Sequence, residues 1–464
     1  MPRRCRGRRR IGRTVGSTLL AWLAGCGPPA QPNGPSPLAS DGCRLPTSPT
    51  AVVPDTVVVV VPGPLGSPSL PPDSDADRVV ARQLYLPLIR VDCRGELRPS
   101  LAGRWWSDSG GRVWRFELIE GLRFADGSAL DAAAVVASWR RTGFAGGGVG
   151  GGRLDAVEDA TVLSASALDA RTVRVGYSAP VASPRGLADV RMGVGGPPGP
   201  DGRPAESGRF RLGPSRSDGV AILEPRTAGT VVRVVGLPPN ADPRDRLAGT
   251  RPADVLLTRD LATIRFAAAR GFEVTPLPWD RTYDLVTAPG LTPPTAPAAA
   301  ELEALAALAV RADARPATAS SGCPGSSAAG PTPRGGVAYR SDDPIGRDLA
   351  ERIAALTGLA APPRWLAATV GARSAGWPAV PLTAAALERA VTGSTPVTVP
   401  DRAGTGSTTT AAIVSRASAT AVACPAAGPA RLPLIESRAT VIRTATPVGL
   451  LLEADGGIWL EPRP

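Results

Sequence analysis

The 464-residue chain contains no histidine and no lysine. Without an imidazole there can be no Ser-His-Asp triad, no Cys-His dyad, no histidine-ligated metal and no side chain that titrates unperturbed near neutral pH. The missing lysine also removes a Ser-Lys pair, so carboxylate chemistry is the one catalytic route left. No spacing in the sequence singles out two acids for that work, and no enzymatic activity, catalytic residue, metal or cofactor is expected. Aromatic residues are scarce too, at 4% of the chain, so few rings are available to stack on a ligand. Glycine and proline are abundant instead, 53 and 51 residues, which predicts long irregular stretches.

The formal charge of +11 is unevenly placed. Arg3, Arg4, Arg6, Arg8, Arg9, Arg10 and Arg13 all precede Cys26, and once these are set aside the charge falls to +4. So small a balance implies no nucleic-acid partner. The use of Arg at every basic position reads first as a coding bias. The same first 25 residues have the three parts of an export signal: a basic stretch, an apolar run from Thr14 to Ala24, and a small-residue junction. The apolar run is too short to span a bilayer permanently, and none long enough follows it.

Cysteine usage fits that destination. Cys5 lies within the signal, and Cys43, Cys93, Cys323 and Cys424 remain beyond Cys26, an even number that permits up to two disulfides in three pairings in an oxidising compartment. Buried free thiols are the alternative. Their wide spacing does not suit zinc.

Along the chain, Gly27 to Thr50 is rich in Pro, Gly and Ser and reads as a spacer. The run Thr56-Val57-Val58-Val59-Val60-Val61 predicts a strand covered on both faces. A helix is expected from Asp75 to Leu86, and a period-two strand over Trp114–Leu118. An Asp126-Gly127 turn and a helix over Asp131–Arg140, capped by the Asp131 carboxylate, follow it. Further strands are expected at 172–175, 230–235 and 253–257, with helices at Ala300–Arg311 and Asp343–Leu356. For the last, Asp343 caps, Pro344 opens and Gly358 closes. Pro316–Gly336 reads as a low-complexity loop, Ala403–Ala427 as a second such stretch expected to be disordered, and no fixed-period repeat is present.

Two resemblances sharpen this reading. Leu23-Ala24-Gly25-Cys26 resembles the lipobox of bacterial lipoproteins, which implies acylation of the Cys26 sulfur and a lipid-anchored place on the extracytoplasmic face of the cell membrane. The segment from Tyr85 to Arg140 resembles extracellular solute-binding protein family 5, the oligopeptide- and dipeptide-type receptors of ABC importers. Pro99, Leu101, Ala102, Trp105, Gly121, Phe124, Asp126, Gly127, Ser138 and Trp139 match its pattern in order. Ser207-Gly208-Arg209-Phe210-Arg211-Leu212, Leu247-Ala248-Gly249, Arg431-Leu432-Pro433-Leu434 and Glu453-Ala454-Asp455-Gly456 continue it more weakly.

The family resemblance implies an α/β, two-lobed periplasmic-binding-protein fold of cluster C with an extra inserted domain. Residues 1–25 would be the lipoprotein signal and 26–50 a disordered spacer. Residues 51–75, 205–275 and 433–464 would form lobe I, 76–204 the inserted domain and 276–432 a shortened lobe II. The chain would cross between lobes near 273–289 and again near 432.

The implied function is to capture a peptide or similar amphiphilic solute between the lobes, as a monomer, and deliver it to ABC permease and ATPase subunits. A member that has lost its cleft and serves in sensing or assembly is the alternative, motivated by the short second lobe. Most of the matched residues pack, turn or cap. Candidate ligand contacts are therefore sought at the expected crossing, where Trp279, Asp280, Arg281 and Tyr283 combine rings with both charge signs. Asp401 is a further candidate, for an amino group, by resemblance to the carboxylate of peptide-binding members; Trp365 and Trp377 read as core.

Overall fold

The structure is a computed structural model. It describes residues 43–45, 55–66, 69–72, 74–143, 162–214, 219–238, 241–249, 252–287, 297–308, 311–317, 336–359, 366, 379–383, 386–387, 397–399, 407–409, 411–417, 430–444 and 449–461. The export signal, Cys26, Cys323, Trp365, Trp377, Asp401, Cys424 and nearly all of the spacer lie outside the described residues.

The valine run forms the strand Thr56–Pro62, and its composition explains its position. It pairs in parallel with Val231–Leu237 on one side and Val255–Thr258 on the other. Val57, Val59 and Val61 enter one apolar cluster, while Val60 enters a second on the opposite face. A strand with alternate side chains in two cores has no use for a polar position. Around it stands a seven-stranded sheet in the order Glu273–Pro276, Thr440–Arg443, Val255–Thr258, Thr56–Pro62, Val231–Leu237, Val220–Pro225, Phe210–Leu212.

The helix Asp75–Leu84 covers the first face with Val79, Val80 and Leu84. It begins where Ser74 Oγ accepts the Asp77 N–H and ends two residues sooner than expected, at Leu84, with Tyr85 as its C-cap. A small antiparallel sheet of Arg44–Leu45, Gly449–Leu452 and Ile458–Glu461 closes the same core. Its edge strand is tied by a disulfide between Cys43 and Cys93, one of the pairings the sequence left open.

The family motif builds its own layer. Four strands lie side by side in an antiparallel sheet, in the spatial order Ala102–Asp108, Val113–Leu118, Thr172–Tyr177, Val162–Ala167, backed by the helix Ala132–Arg141. Trp114, Phe116, Leu118, Phe124, Trp139, Val173 and Val175 fill its core. The expected turn and cap are present. Asp126 Oδ1 accepts the Ser128 N–H at 2.8 Å, and Asp131 Oδ1 accepts the Ala134 N–H at 2.8 Å. The chain leaving this layer comes close to the Asp75–Leu84 helix at Gly208, where a Cβ would stand 2.1 Å from the Gln83 carbonyl oxygen, so only glycine admits the approach.

A six-stranded sheet makes the other half, in the order Ala314–Pro316, Ala430–Ser437, Arg281–Thr287, Ala411–Ala417, Val337–Arg340, Ala379–Leu382. Tyr283, Leu285, Ile345, Leu349, Ile353 and Leu434 pack on one face, beneath the helices Ala299–Leu308 and Pro344–Thr357. Asp343 caps the second helix, accepting the Ile345 and Gly346 N–H groups.

The chain passes between the two large sheets twice. Residues 277–280 lead from Glu273–Pro276 into Arg281–Thr287, and residues 438–439 lead from Ala430–Ser437 back to Thr440–Arg443. The second crossing therefore falls at 438–439 rather than near 432. The reason is pairing: the whole of Ala430–Ser437 is bonded to Arg281–Thr287, so it must finish inside the six-stranded sheet before the chain can leave.

Candidate functional site

In open α/β sheets, ligands sit beyond the carboxyl ends of the parallel strands, where loops diverge and helix N-termini point. Both large sheets present such ends near the crossings. From the seven-stranded sheet come Arg259, directly after Val255–Thr258, and Asp75, at the start of the helix that follows Thr56–Pro62. From the six-stranded sheet come Arg281, which opens its strand, and the turn Arg340-Ser341-Asp342-Asp343 at the end of Val337–Arg340.

These residues form a charged strip. Arg259 donates to both carboxylate oxygens of Asp280, with Nη1 2.9 Å from Oδ1, and reaches Ser437 Oγ at 3.3 Å. Arg281 pairs with Asp75, 206 residues earlier in the chain. Arg340 forks onto Asp342, with Nε at 3.0 Å and Nη2 at 2.6 Å. Tyr283 donates its hydroxyl to Asp343 Oδ1 at 3.2 Å.

The field in the strip is strong because the groups are crowded. Burial works against the Asp75 charge, yet the guanidiniums of Arg281, Arg259 and Arg78 hold its carboxyl well below the usual carboxylate range. Burial likewise opposes the Arg281 and Arg259 charges, and Asp75 and Asp280 more than restore them. Burial, joined by Asp343, pushes the Tyr283 hydroxyl well above its ordinary value. Arg340 and Asp342 are governed mainly by their mutual hydrogen bond, which raises the arginine and lowers the acid, with Asp75 adding a smaller contribution to each.

The structure brings four of the five sequence candidates together, in unequal positions. Arg281 is on the strip and partly accessible. Asp280 is 6% exposed, bound by Arg259 and roofed by Gly456, where a Cβ would stand 2.6 Å from the Asp280 Cγ. Tyr283 is 1% exposed, inside the apolar cluster of its sheet. Trp279 lies beneath the guanidiniums of Arg315 and Arg438, each 4.5 Å from the ring centroid.

Sequence reasoning missed Asp75, Arg259, Arg340 and Asp342 as members of a site, and it read Asp343 only as a helix cap. Their one shared signal is position at the carboxyl end of a parallel strand or the start of the helix after it, which requires knowing the strand directions. Among the described residues no group of three or more Cys, Asp or Glu side chains is arranged to hold a metal ion, and no helix is long and apolar enough to cross a membrane.

Residues 96–209 match the model of the bacterial extracellular solute-binding proteins, family 5 (middle region), in agreement with the motif reading. No curated protein matches the chain by sequence. Solved structures do resemble it. NikA from Brucella suis in complex with Fe(III)-EDTA is 15% identical with a TM-score of 0.53, over 88% of this chain and 100% of the other. A substrate-binding protein from Microbacterium hydrocarbonoxydans complexed with 4-hydroxybenzoate hydrazide gives 15% and 0.54 over the same shares. A periplasmic oligopeptide-binding protein from Borrelia burgdorferi gives 11% and 0.56, again over 88% and 100%. At these identities the likeness establishes the two-lobed α/β fold of the periplasmic binding proteins.

Proposed function

We propose, starting from the likeness to the family 5 solute-binding proteins, that this chain is the solute receptor of an ABC importer. It takes up a peptide or similar amphiphilic molecule between its two halves and passes it to a membrane permease with its ATPase. One observation carries the reading: beside the first crossing, Arg281 of the six-stranded sheet pairs with Asp75 from the seven-stranded side, so charged, partly accessible side chains of both halves meet. A ligand favours the closed arrangement only insofar as it binds both halves, and Asp75 on the side of the seven-stranded sheet with Arg281, Arg340 and Asp342 on the side of the six-stranded sheet offer such a two-sided grip. Side chains of both signs suit a zwitterion better than an apolar solute. Trp279 and Asp280, engaged by arginines of their own, are assigned to hold this arrangement, and Arg281 to meet solute directly.

Attachment through an acylated Cys26 at the outer face of the cell membrane belongs to the same proposal, as do the division of the chain into lobes and inserted domain and a monomeric state. The Cys43–Cys93 disulfide supports an oxidising location.

The test is thermal unfolding in the presence of tri- to pentapeptides, Fe(III)-EDTA and 4-hydroxybenzoate hydrazide. A binder at 100 times its Kd should add about 2.7 kcal/mol of stability, and Asp75→Asn with Arg340→Gln should abolish the gain. If no probe stabilises the protein at millimolar concentration, the transport reading gives way to the non-transport alternative.

A further inference from the structure

The two crossings are more than parallel linkers, because three chain segments converge on one indole ring. Trp279 belongs to the first crossing and Arg438 to the second, and the Arg438 guanidinium lies over the Trp279 ring at 4.5 Å. Arg315, also over the ring at 4.5 Å, belongs to a third segment, 311–316. That segment touches both halves. Ala312 bridges Asp260, and the Leu261 N–H donates to the Arg311 carbonyl on the side of the seven-stranded sheet. Ala314–Pro316 then pairs with the end of Ala430–Ser437 in the six-stranded sheet.

Each guanidinium over the ring is also held by an acid of a neighbouring segment. Arg438 Nε donates to Asp313 Oδ2 at 2.6 Å, and Arg315 Nε donates to Glu436 Oε2 at 2.7 Å. The crossings are further joined by the Leu277 N–H, which donates to the Ala439 carbonyl at 2.9 Å, and segment 311–316 joins the second through the Arg438 N–H on the Asp313 carbonyl. An aromatic face attracts a cation by its quadrupole, and two cations over one ring, each neutralised at its far side, fasten the ring in place without leaving net charge behind.

We propose that Trp279 is the pivot of the molecule: its ring, gripped by Arg315 and Arg438, fastens both crossings and segment 311–316 into one block and sets the angle at which the two halves rest. This rests on the reading that the halves open and close on a solute, and it makes Trp279 a positioning residue that acts through the crossings. Bending is then confined to the backbone on either side of the block, and the ring is withdrawn from solute.

Hydrogen exchange on the full chain without solute tests this, with the amides of Leu277 and Arg438 as reporters because both close bonds across the block. Trp279→Leu should speed exchange at both by about tenfold, while amides of Thr56–Pro62 and of the helix Pro344–Thr357 keep their protection. Arg438→Gln, which leaves the ring and removes one grip, should accelerate the same two amides by a smaller factor, and X-ray scattering should show a broader spread of sizes for both variants. Unchanged exchange at Leu277 and Arg438, or a rise shared equally by the distant elements, overturns the pivot. Should Trp279→Leu fail to fold, Arg438→Gln decides alone by the same criterion. Since no solute enters the measurement, a negative solute panel with the localised effect intact counts against the receptor reading and leaves the pivot standing.

Discussion

Replacing Cys43 and Cys93 by serine should cost stability out of proportion to the contacts removed. The bond joins residues separated by 50 positions, and closing a loop of that length in the unfolded chain is worth about 4 kcal/mol at 25 °C by chain entropy. What else holds the edge strand Arg44–Leu45 is slight. It has two residues in register with Gly449–Leu452, a bond from the Leu452 N–H to the Cys43 carbonyl at 2.7 Å, and an ion pair of Arg44 with Glu461 in which the arginine is 56% exposed. A pair so exposed contributes at most about 1 kcal/mol.

Without the disulfide the strand should therefore leave the small sheet easily, and part of the entropic loss will be relieved by that fraying. The expected loss is about 2–4 kcal/mol in urea unfolding followed by tryptophan emission. The thiol count checks the premise: replacing both cysteines should leave the number of free thiols in the denatured, unreduced chain unchanged. A loss below about 1 kcal/mol, or two thiols fewer in the variant, refutes the argument.

Two further outcomes follow from the charged strip. Arg259→Met leaves the Asp280 carboxylate, 6% exposed, without its fork and should cost about 3–5 kcal/mol in urea unfolding, whereas Arg259→Met with Asp280→Leu should recover most of it; equal losses would sink the account. Because the Asp75 carboxyl is held below its unfolded value, its contribution is present at neutral pH. It should fade as pH falls below about 4 toward the folded value, so Asp75→Asn should flatten the acid limb of stability measured at low salt.

Much of the fold was legible in local sequence. Five successive valines could only suit a strand with a core on each face, Asp131 and Asp343 announced helix starts through their capping chemistry, and the family motif located the layer with Phe124 and Trp139 at its centre. These are properties of a few neighbouring residues, and physical chemistry acts on them before any long-range contact exists. The end of the helix at Leu84 and the second crossing at 438–439 were less well placed, since each is decided by what the segment pairs or packs with.

The site belongs to tertiary structure almost entirely. Sequence pointed to Trp279, Asp280, Arg281 and Tyr283 as a group of mixed charge and rings, and they do stand at the first crossing and the strand it opens. What each does is set by a partner the sequence does not reveal: Arg281 by Asp75, 206 residues away; Asp280 by Arg259, 21 away; Tyr283 by Asp343, 60 away. A charge or a ring has no role until its neighbour is fixed, because attraction depends on distance in space and on how far water is excluded. Both are decided only when the two sheets have formed and the crossings have brought their ends together.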